Sequence, residues 1–449
     1  MHLRKIYFWS ITVAFGGFLF GFDTAVISGC ERTIQQLWDL SDAMIGQMVA
    51  MALYGTIVGA VFGGVPAEHF GRKNSLFGLG LIYLLSAIGS ALAPDIITLM
   101  IFRFIGGLGV GASSVVAPMY IAEISPSEKR GQLTALFQFN IVFGILIAYL
   151  SNWLIGTESS SAWRWMLGVQ AFPALVFVLL ILYVPESPRW LLLKKANFDE
   201  AFRVLQSVNP LTAKQSISDI QTSVESNSTT SGLREFLSGR YRFPILLAFL
   251  FAFFNQVSGI NAVIYYAPRI FEEAGMAARS ALLSSVGIGV INLIFTMIGL
   301  ALIDRIGRRF LMIVGSFGYL ISLSLVAWIF SQGTPTGGLL VPILLFVFIA
   351  AHAIGQGAVI WVFISEIFPN QVRSWGNSLG SSTHWVFAAL VAGNFPYFAG
   401  KFGQAPIFGF FAFMMVFQLL FVWKMMPETK GVSLEDIERQ LVNEKSKTQ

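Results

Sequence analysis

Two charges lie where the surrounding sequence leaves no solvent for them. Asp23 sits in an apolar run that begins near Ile6 and meets no other charge before Glu31, and Arg103 sits inside a second run near 97–121. An ionisable side chain at bilayer depth costs roughly 2.5 to 3.5 kcal/mol on insertion scales, so it is kept where it has a partner or a task. At about 1.5 Å per residue, Asp23 lies roughly 25 Å above the inner end of its run and Arg103 roughly 9 Å below the outer end of its own. In a core of about 30 Å these depths agree within about one helical turn. Paired, the two keep their charges; drawn apart in an apolar site, the acid favours its proton. A cycle that separates them takes up a proton on one side and releases it on the other. The competing reading is a static tie between two helices.

The other polar groups at that depth are amides and aromatics: Gln138, Asn255, Gln256, Asn261, Asn292, Asn394, Trp361, Trp385 and His384. An amide both donates and accepts, as a polyol hydroxyl does, and an indole sets an apolar face beside an N–H donor. No second pair of buried charges matches an ionic ligand, so the set suits a neutral polyol. A single amide of this kind is equally an interhelical bond worth about 0.6 kcal/mol. Asn255 to Asn261 differ, because Ser258-Gly259 interrupts the run beside them, and broken helices line ligand sites in membrane transporters.

The elements that carry these residues follow from composition. Of 449 residues, 55% are hydrophobic and 12% charged, against about 25% charged in a soluble domain. The net charge of +5 comes from short basic clusters between apolar runs, the place of orientation signals, so nucleic acid is not an expected partner. One cysteine, Cys30, excludes a disulfide within the chain. Ile27-Ser28-Gly29-Cys30 has the spelling of a lipoprotein cleavage box, but the length of the first run and its acid predict an uncleaved span.

Apolar stretches of crossing length fall near 6–28, 44–67, 74–93, 97–121, 132–155 and 163–184, and again near 244–270, 281–303, 309–331, 339–365, 374–399 and 404–426. The expected fold is an all-α membrane protein of twelve transmembrane helices in two six-helix repeats. Residues 1–189 form the first half, 190–242 a linker with short helices, 243–426 the second half and 427–449 a tail. With both termini inside, only Arg32, Arg164, Arg269, Arg279 and Lys401 fall outside, which fits the positive-inside rule. Phe198–Leu205 in the linker is amphipathic. Asn227-Ser228-Thr229 has the glycosylation spelling on the inner side and is taken as chance, and Ser433 before Asp436 is a helix-start signal. Gly55, Gly59 and Gly63 read as a packing row.

The halves repeat each other. His69-Phe70-Gly71-Arg72-Lys73 matches Arg305-Ile306-Gly307-Arg308-Arg309, Glu123-Ile124-Ser125-Pro126 with Arg130 matches Glu366-Ile367-Phe368-Pro369 with Arg373, and Pro185-Glu186-Ser187 matches Pro427-Glu428-Thr429. An offset near 240 residues each time marks an internal duplication. Arg72, Glu123, Arg130, Glu186, Arg189, Asp304, Arg308, Glu366, Arg373 and Glu428 are expected to form a cytoplasmic gate; the plainer alternative is positive-inside charge without gating.

With these residues in view, nearly the whole chain resembles the sugar porter family of the major facilitator superfamily, most of all its bacterial xylose–proton symporters and the related glucose carriers. Pro118-Met119-Tyr120-Ile121-Ala122-Glu123, Pro185-Glu186-Ser187-Pro188-Arg189-Trp190, Gln256-Val257-Ser258-Gly259-Ile260-Asn261 and Pro427-Glu428-Thr429-Lys430-Gly431 look like its signature segments. The resemblance implies sugar contacts at Gln138, Gln256, Asn261, Asn292 and Trp361, an outer-gate aromatic at Tyr265, a lining residue at Phe20 and proton coupling by Asp23 with Arg103. Asn255, Gly357, His384 and Trp385 complete the expected binding set. Asn255 stands where the family commonly has a second glutamine, Ala358 where it has proline, Ile145 where it has glutamine, and His384 where it has Gln or Asn.

The expectation is therefore a sugar–proton symporter that imports a neutral monosaccharide by alternating access, working as a monomer in a bacterial inner membrane. No enzymatic chemistry, metal or cofactor is expected. A facilitative sugar uniporter and a transporter-like sugar sensor are the alternatives.

Overall fold

In a bilayer core every backbone N–H and C=O must be satisfied within the chain, which leaves helices or closed barrels, and the apolar runs above take the first solution. The computed structural model describes residues 2–126, 129–210, 213–226, 233–333, 338–369, 371–432, 436–437 and 439–443, and among them every regular element is helical. Asn227-Ser228-Thr229 and Ser433 lie outside the described residues.

In chain order the helices are α1 His2–Val26, α2 Glu31–Leu37, α3 Asp42–Phe62, α4 Gly64–Phe70, α5 Arg72–Leu92, α6 Ile96–Ile124, α7 Arg130–Ile155, α8 Ala162–Gly168, α9 Ala171–Ile181, α10 Pro188–Lys195, α11 Phe198–Val208, α12 Ala213–Ser226 and α13 Leu233–Phe236. They continue as α14 Arg242–Val257, α15 Ile260–Glu273, α16 Ala278–Ile306, α17 Arg308–Ser331, α18 Leu340–His352, α19 Ala358–Glu366, α20 Arg373–Phe402 and α21 Gln404–Lys424. A π-turn, Ala353–Gly357, joins α18 to α19. Among the described residues eleven segments are long and apolar enough to cross a membrane. α20, which covers the stretch expected to cross near 374–399, has the length at 30 residues but is not one of the eleven.

The chain divides into two compact units, Met1–Cys30 with Met51–Thr229, and Glu31–Ala50 with Thr230–Gln449. In the first, glycines let helices touch backbone to backbone. A Cβ on Gly21 of α1 would stand 1.9 Å from the Ile141 carbonyl oxygen of α7, and one on Gly144 of α7 2.2 Å from that of Phe18. The row read as packing does pack: a Cβ on Gly55 or Gly59 of α3 would stand 2.1 Å or 2.3 Å from the carbonyl oxygens of Phe104 or Leu108 of α6. The linker folds into α10 to α12 around an apolar cluster of Trp190, Leu191, Leu192, Ala201 and Val204 with Ile217 and Ile220 against it. Ser187 and Asn197 cap α10 and α11 by accepting from the N–H groups of Trp190 and Glu200, the usual N-cap role of such side chains.

In the second unit the segment expected to span 244–270 is broken. α14 ends at Val257, Gly259 takes φ +85°, and α15 restarts at Ile260. Only glycine adopts that φ without strain, and a Cβ there would also meet the Phe411 ring at 2.4 Å. Further along α15, Tyr266 leaves helical geometry at φ −125°, two residues before Pro268, whose ring clashes with the preceding turn.

Candidate functional site

In the first unit, α1 and α6 bring the two membrane-depth charges together. Arg103 Nη1 donates to Asp23 Oδ1 at 3.1 Å and to the Asp23 carbonyl oxygen at 3.3 Å. Both side chains are sealed from solvent, Asp23 at 3% and Arg103 at 1% exposure. Gly106 lies beside the pair, where a Cβ would stand 3.4 Å from Asp23 Oδ1 and 2.5 Å from Ser86 Oγ. The contact uses one guanidinium nitrogen; Nε and Nη2 of Arg103 have no partner among the described residues. Phe20 lies one turn below Asp23 on α1 and is buried, and Gln138 on α7 is half-buried.

In the second unit the helix break builds a relay of amides. Gln256 Nε2 donates to Asn255 Oδ1 at 2.8 Å and stands 3.1 Å and 3.2 Å from the two ring nitrogens of His384, while Gln256 Oε1 accepts from Asn261 Nδ2 at 2.7 Å. Gln256 and Asn261 flank Gly259, and an unbroken α-helix would not present residues five apart on one face. The His384 ring meets two indoles, tilted against Trp361 and edge-on to Trp385, with ring centroids 5.1 Å and 4.8 Å away. Trp361 is 40% exposed, so this end of the relay opens. Asn292 of α16 is buried and accepts from Thr296 Oγ1 at 3.3 Å, Tyr265 of α15 is buried, and Gly357 closes the π-turn. The relay can donate and accept at several points around an apolar aromatic wall, which is the recognition chemistry of a polyol.

The charged loop residues form two matching knots, one inside each unit. In the first, Arg72 Nε and Nη2 lie 3.0 Å from Oε2 and Oε1 of Glu123, Arg72 Nη1 donates to the Ala67 carbonyl at 3.1 Å, and Ser187 Oγ donates to Glu123 Oε2 at 2.5 Å. In the second, Arg308 Nε and Nη2 lie 3.2 Å and 2.8 Å from Oε2 and Oε1 of Glu366, Nη1 donates to the Ile303 carbonyl at 3.1 Å, and Thr429 Oγ1 donates to Glu366 Oε2 at 2.6 Å. Glu186 accepts from the backbone N–H of Arg72 and Lys73, as Glu428 does from Arg308 and Arg309. Gly71 at φ +97° and Gly307 at φ +103° make room for these carboxylates. Burial pushes the Glu186 carboxyl above its ordinary value, although three backbone N–H groups pull the other way. Asp304 pairs with Arg308 at 2.9 Å. Arg373 Nε donates to the Phe368 carbonyl, whereas Arg130 lies exposed at the start of α7 and Arg189 half-buried in α10.

Two pairs escaped the sequence reading. His352 Nδ1 lies 2.7 Å from the Tyr319 hydroxyl; the only signal was a histidine inside the apolar run near 339–365. Arg269, counted among the outer charges, forms a buried ion pair with Glu31 at 2.8 Å.

The family described as "Sugar (and other) transporter" matches residues 9–441. A D-xylose transporter of Levilactobacillus brevis is 38% identical over 97% of this chain and 95% of its own length. The arabinose–proton symporter of Bacillus subtilis is 37% identical over 96% and 94%, and the D-xylose–proton symporter of Escherichia coli 34% over 99% and 97%. Among solved structures, the E. coli xylose transporter in an inward-open conformation superposes with a TM-score of 0.85 at 33% identity, covering 97% of this chain and 100% of that one. The E. coli proton:xylose symporter of the major facilitator superfamily, bound to 6-bromo-6-deoxy-D-glucose, superposes with a TM-score of 0.78 at 32% identity, covering 98% of this chain and 100% of that one. The chain belongs to this sugar transporter family, and it is an integral membrane protein with the major facilitator fold. It is a transporter, not an enzyme.

Proposed function

We infer that the chain imports a neutral monosaccharide, pentose or hexose, together with protons by alternating access. The observation that carries the reading is the Asp23–Arg103 pair, buried at membrane depth yet joined by a single guanidinium nitrogen. A tie built only for strength would use the bidentate fork that arginine offers; a one-point contact with two unspent donors can part during a cycle. The relatives that are named xylose–proton and arabinose–proton symporters support this reading. In this reading Gln138, Gln256, Asn261, Asn292 and Trp361 contact the sugar, with Phe20, Asn255, Tyr265, Gly357, His384 and Trp385 as further binding residues.

In the same reading the chain runs as two six-helix halves, 1–189 and 243–426, with α20 as a crossing helix, both termini cytoplasmic, and works as a monomer in the lipid of a bacterial inner membrane. The loop knots at Glu123 and Glu366 belong to the cytoplasmic gate. The test is uptake of radiolabelled D-xylose, L-arabinose, D-glucose, D-galactose and D-fructose into proteoliposomes with and without an imposed inward proton gradient. Accumulation of one sugar above equilibrium only with the gradient is the expected result. Equilibration that ignores the gradient would make the chain a uniporter and the charge pair structural.

A further inference from the structure

We propose that His352 is a further sugar-contacting residue, an N–H donor set in place by Tyr319 and delivered to the site by the π-turn. The proposal rests on the sugar reading above and adds a group that reading does not contain.

In a regular α-helix a residue and its fifth neighbour do not share a face. The five-residue π-turn Ala353–Gly357 changes that count, because one wider turn brings such residues back into line, and π-turns of this kind recur at functional sites. The result is visible at Gly357: a Cβ built there would point at the His352 ring, 3.4 Å from Cδ2 and 3.7 Å from Nε2. One α-helical turn beyond Gly357 stands Trp361, whose indole lies against His384, which in turn meets Gln256. His352, Gly357 and Trp361 therefore occupy one continuous face, and that face ends in the amide relay.

Tyr319 fixes which nitrogen of His352 carries the proton. Its hydroxyl is 2.7 Å from Nδ1, its ring is fully buried, and α17 is pressed on the end of α18 through Gly315 and Gly318, where a Cβ would stand 2.9 Å and 2.5 Å from atoms of Ala351. Neither the Tyr319 nor the His352 side chain has another hydrogen-bond partner among the described residues. If Nδ1–H donated to the phenol, the Tyr319 proton would be left without an acceptor inside the protein and Nε2 without a donor. If Tyr319 donates to Nδ1, only one group is left over, Nε2–H. Leaving one polar group unsatisfied costs less than leaving two, so the tautomer with the proton on Nε2 is the one held. That nitrogen is not sealed in: the residue is half-buried, and Nε2 is absent from the buried polar atoms that lack a partner. An accessible donor seeking an acceptor beside Gly357 and Trp361 fits a sugar hydroxyl oxygen.

The test compares wild type with His352→Phe, His352→Gln and Tyr319→Phe in proteoliposomes. It measures KM and maximal rate for D-xylose and D-glucose and for monodeoxy-D-glucoses lacking one hydroxyl at a time. Loss of one neutral hydrogen bond predicts a five- to tenfold rise in KM for His352→Phe with the maximal rate little changed. The rise is expected to vanish for one deoxy analogue, the one that already lacks the contacted hydroxyl. His352→Gln, which keeps a donor, retains most of the affinity, and Tyr319→Phe raises KM about two- to fivefold at the same hydroxyl. In the wild type, the transported sugar is expected to slow carbethoxylation of His352, read by mass spectrometry. An unaltered carbethoxylation rate, or a KM penalty that is equal for every analogue, overturns the role of His352. A wild type that takes up none of these sugars overturns the parent reading instead.

Discussion

Glu31 and Arg269, 238 residues apart, meet as a two-point clamp: Arg269 Nε lies 2.9 Å from Glu31 Oε1 and Nη2 2.8 Å from Oε2. Both are buried, at 1% and 6% exposure, and Gln35 and Asp42 gather on the same guanidinium. Removing one member of such a buried pair strands the other, at about 3 to 5 kcal/mol, whereas replacing both with apolar groups of similar size is often close to neutral. Arg269→Met alone should therefore lower the thermal midpoint in detergent sharply, and Glu31→Met with Arg269→Met should recover most of the loss. A double variant as unstable as the single one would show that the charges are not the source of the effect.

The Asp23–Arg103 contact makes the opposite prediction, because its expected role lies in the cycle and not in stability. Asp23→Asn should still bind sugar and let it equilibrate across the bilayer, but lose uphill uptake. With one proton per sugar, 100 mV supports about fifty-fold accumulation of a neutral solute, and that ratio should fall to one. Concentrative uptake retained in energised vesicles would remove the acid from the coupling step.

Gly259 tests the helix break. At φ +85° and with Phe411 2.4 Å from the place a Cβ would take, Gly259→Ala must distort the join between Gln256 and Asn261. Strain and clash together are worth about 1 to 3 kcal/mol, and transport should fall about fivefold to a hundredfold by that conversion. Gly409→Ala on α21, where nothing lies within 4 Å of the new methyl, is the matched control and should transport normally.

Glu186 gives a pH signature. Its carboxyl is raised in the folded protein, so the folded state holds that proton more tightly than the unfolded one. Its contribution to stability is then fully present below the ordinary carboxyl range and is lost as pH rises through the raised value. Thermal midpoints measured across this range should show a falling component in wild type that Glu186→Gln lacks. An identical pH profile in both proteins would assign the slope to other groups.

What the sequence could show depended on how few candidates each question had. Only Asp23 and Arg103 carry charge deep in the apolar runs, so depth arithmetic alone could match them, and the structure holds them at 3.1 Å. The loop knots were legible as a repeat because Gly71, Glu123 and Glu186 recur as Gly307, Glu366 and Glu428 at offsets near 240 residues. Which atoms meet was not, since backbone N–H groups have no letter in a sequence. The relay was legible by residue type but not by partner: Gln256 and His384 lie 128 residues apart, and any of several amides suited the histidine equally. The π-turn left no trace at all, because Leu340 to Glu366 reads as one apolar stretch whether or not one of its turns is wide. His352 was missed for that reason.

The wide turn has a consequence for how this binding wall can vary between lineages. A π-turn is a helix carrying one residue too many, so deletion of a single codon anywhere in 353–357 would restore a regular helix at almost no cost to hydrophobicity. It would also rotate everything on one side by about 100° relative to the other, swinging Trp361 away from His352. Point substitutions can retune this wall one contact at a time; a one-residue length change re-addresses a whole helix face in a single step, and it would look harmless in any comparison of composition.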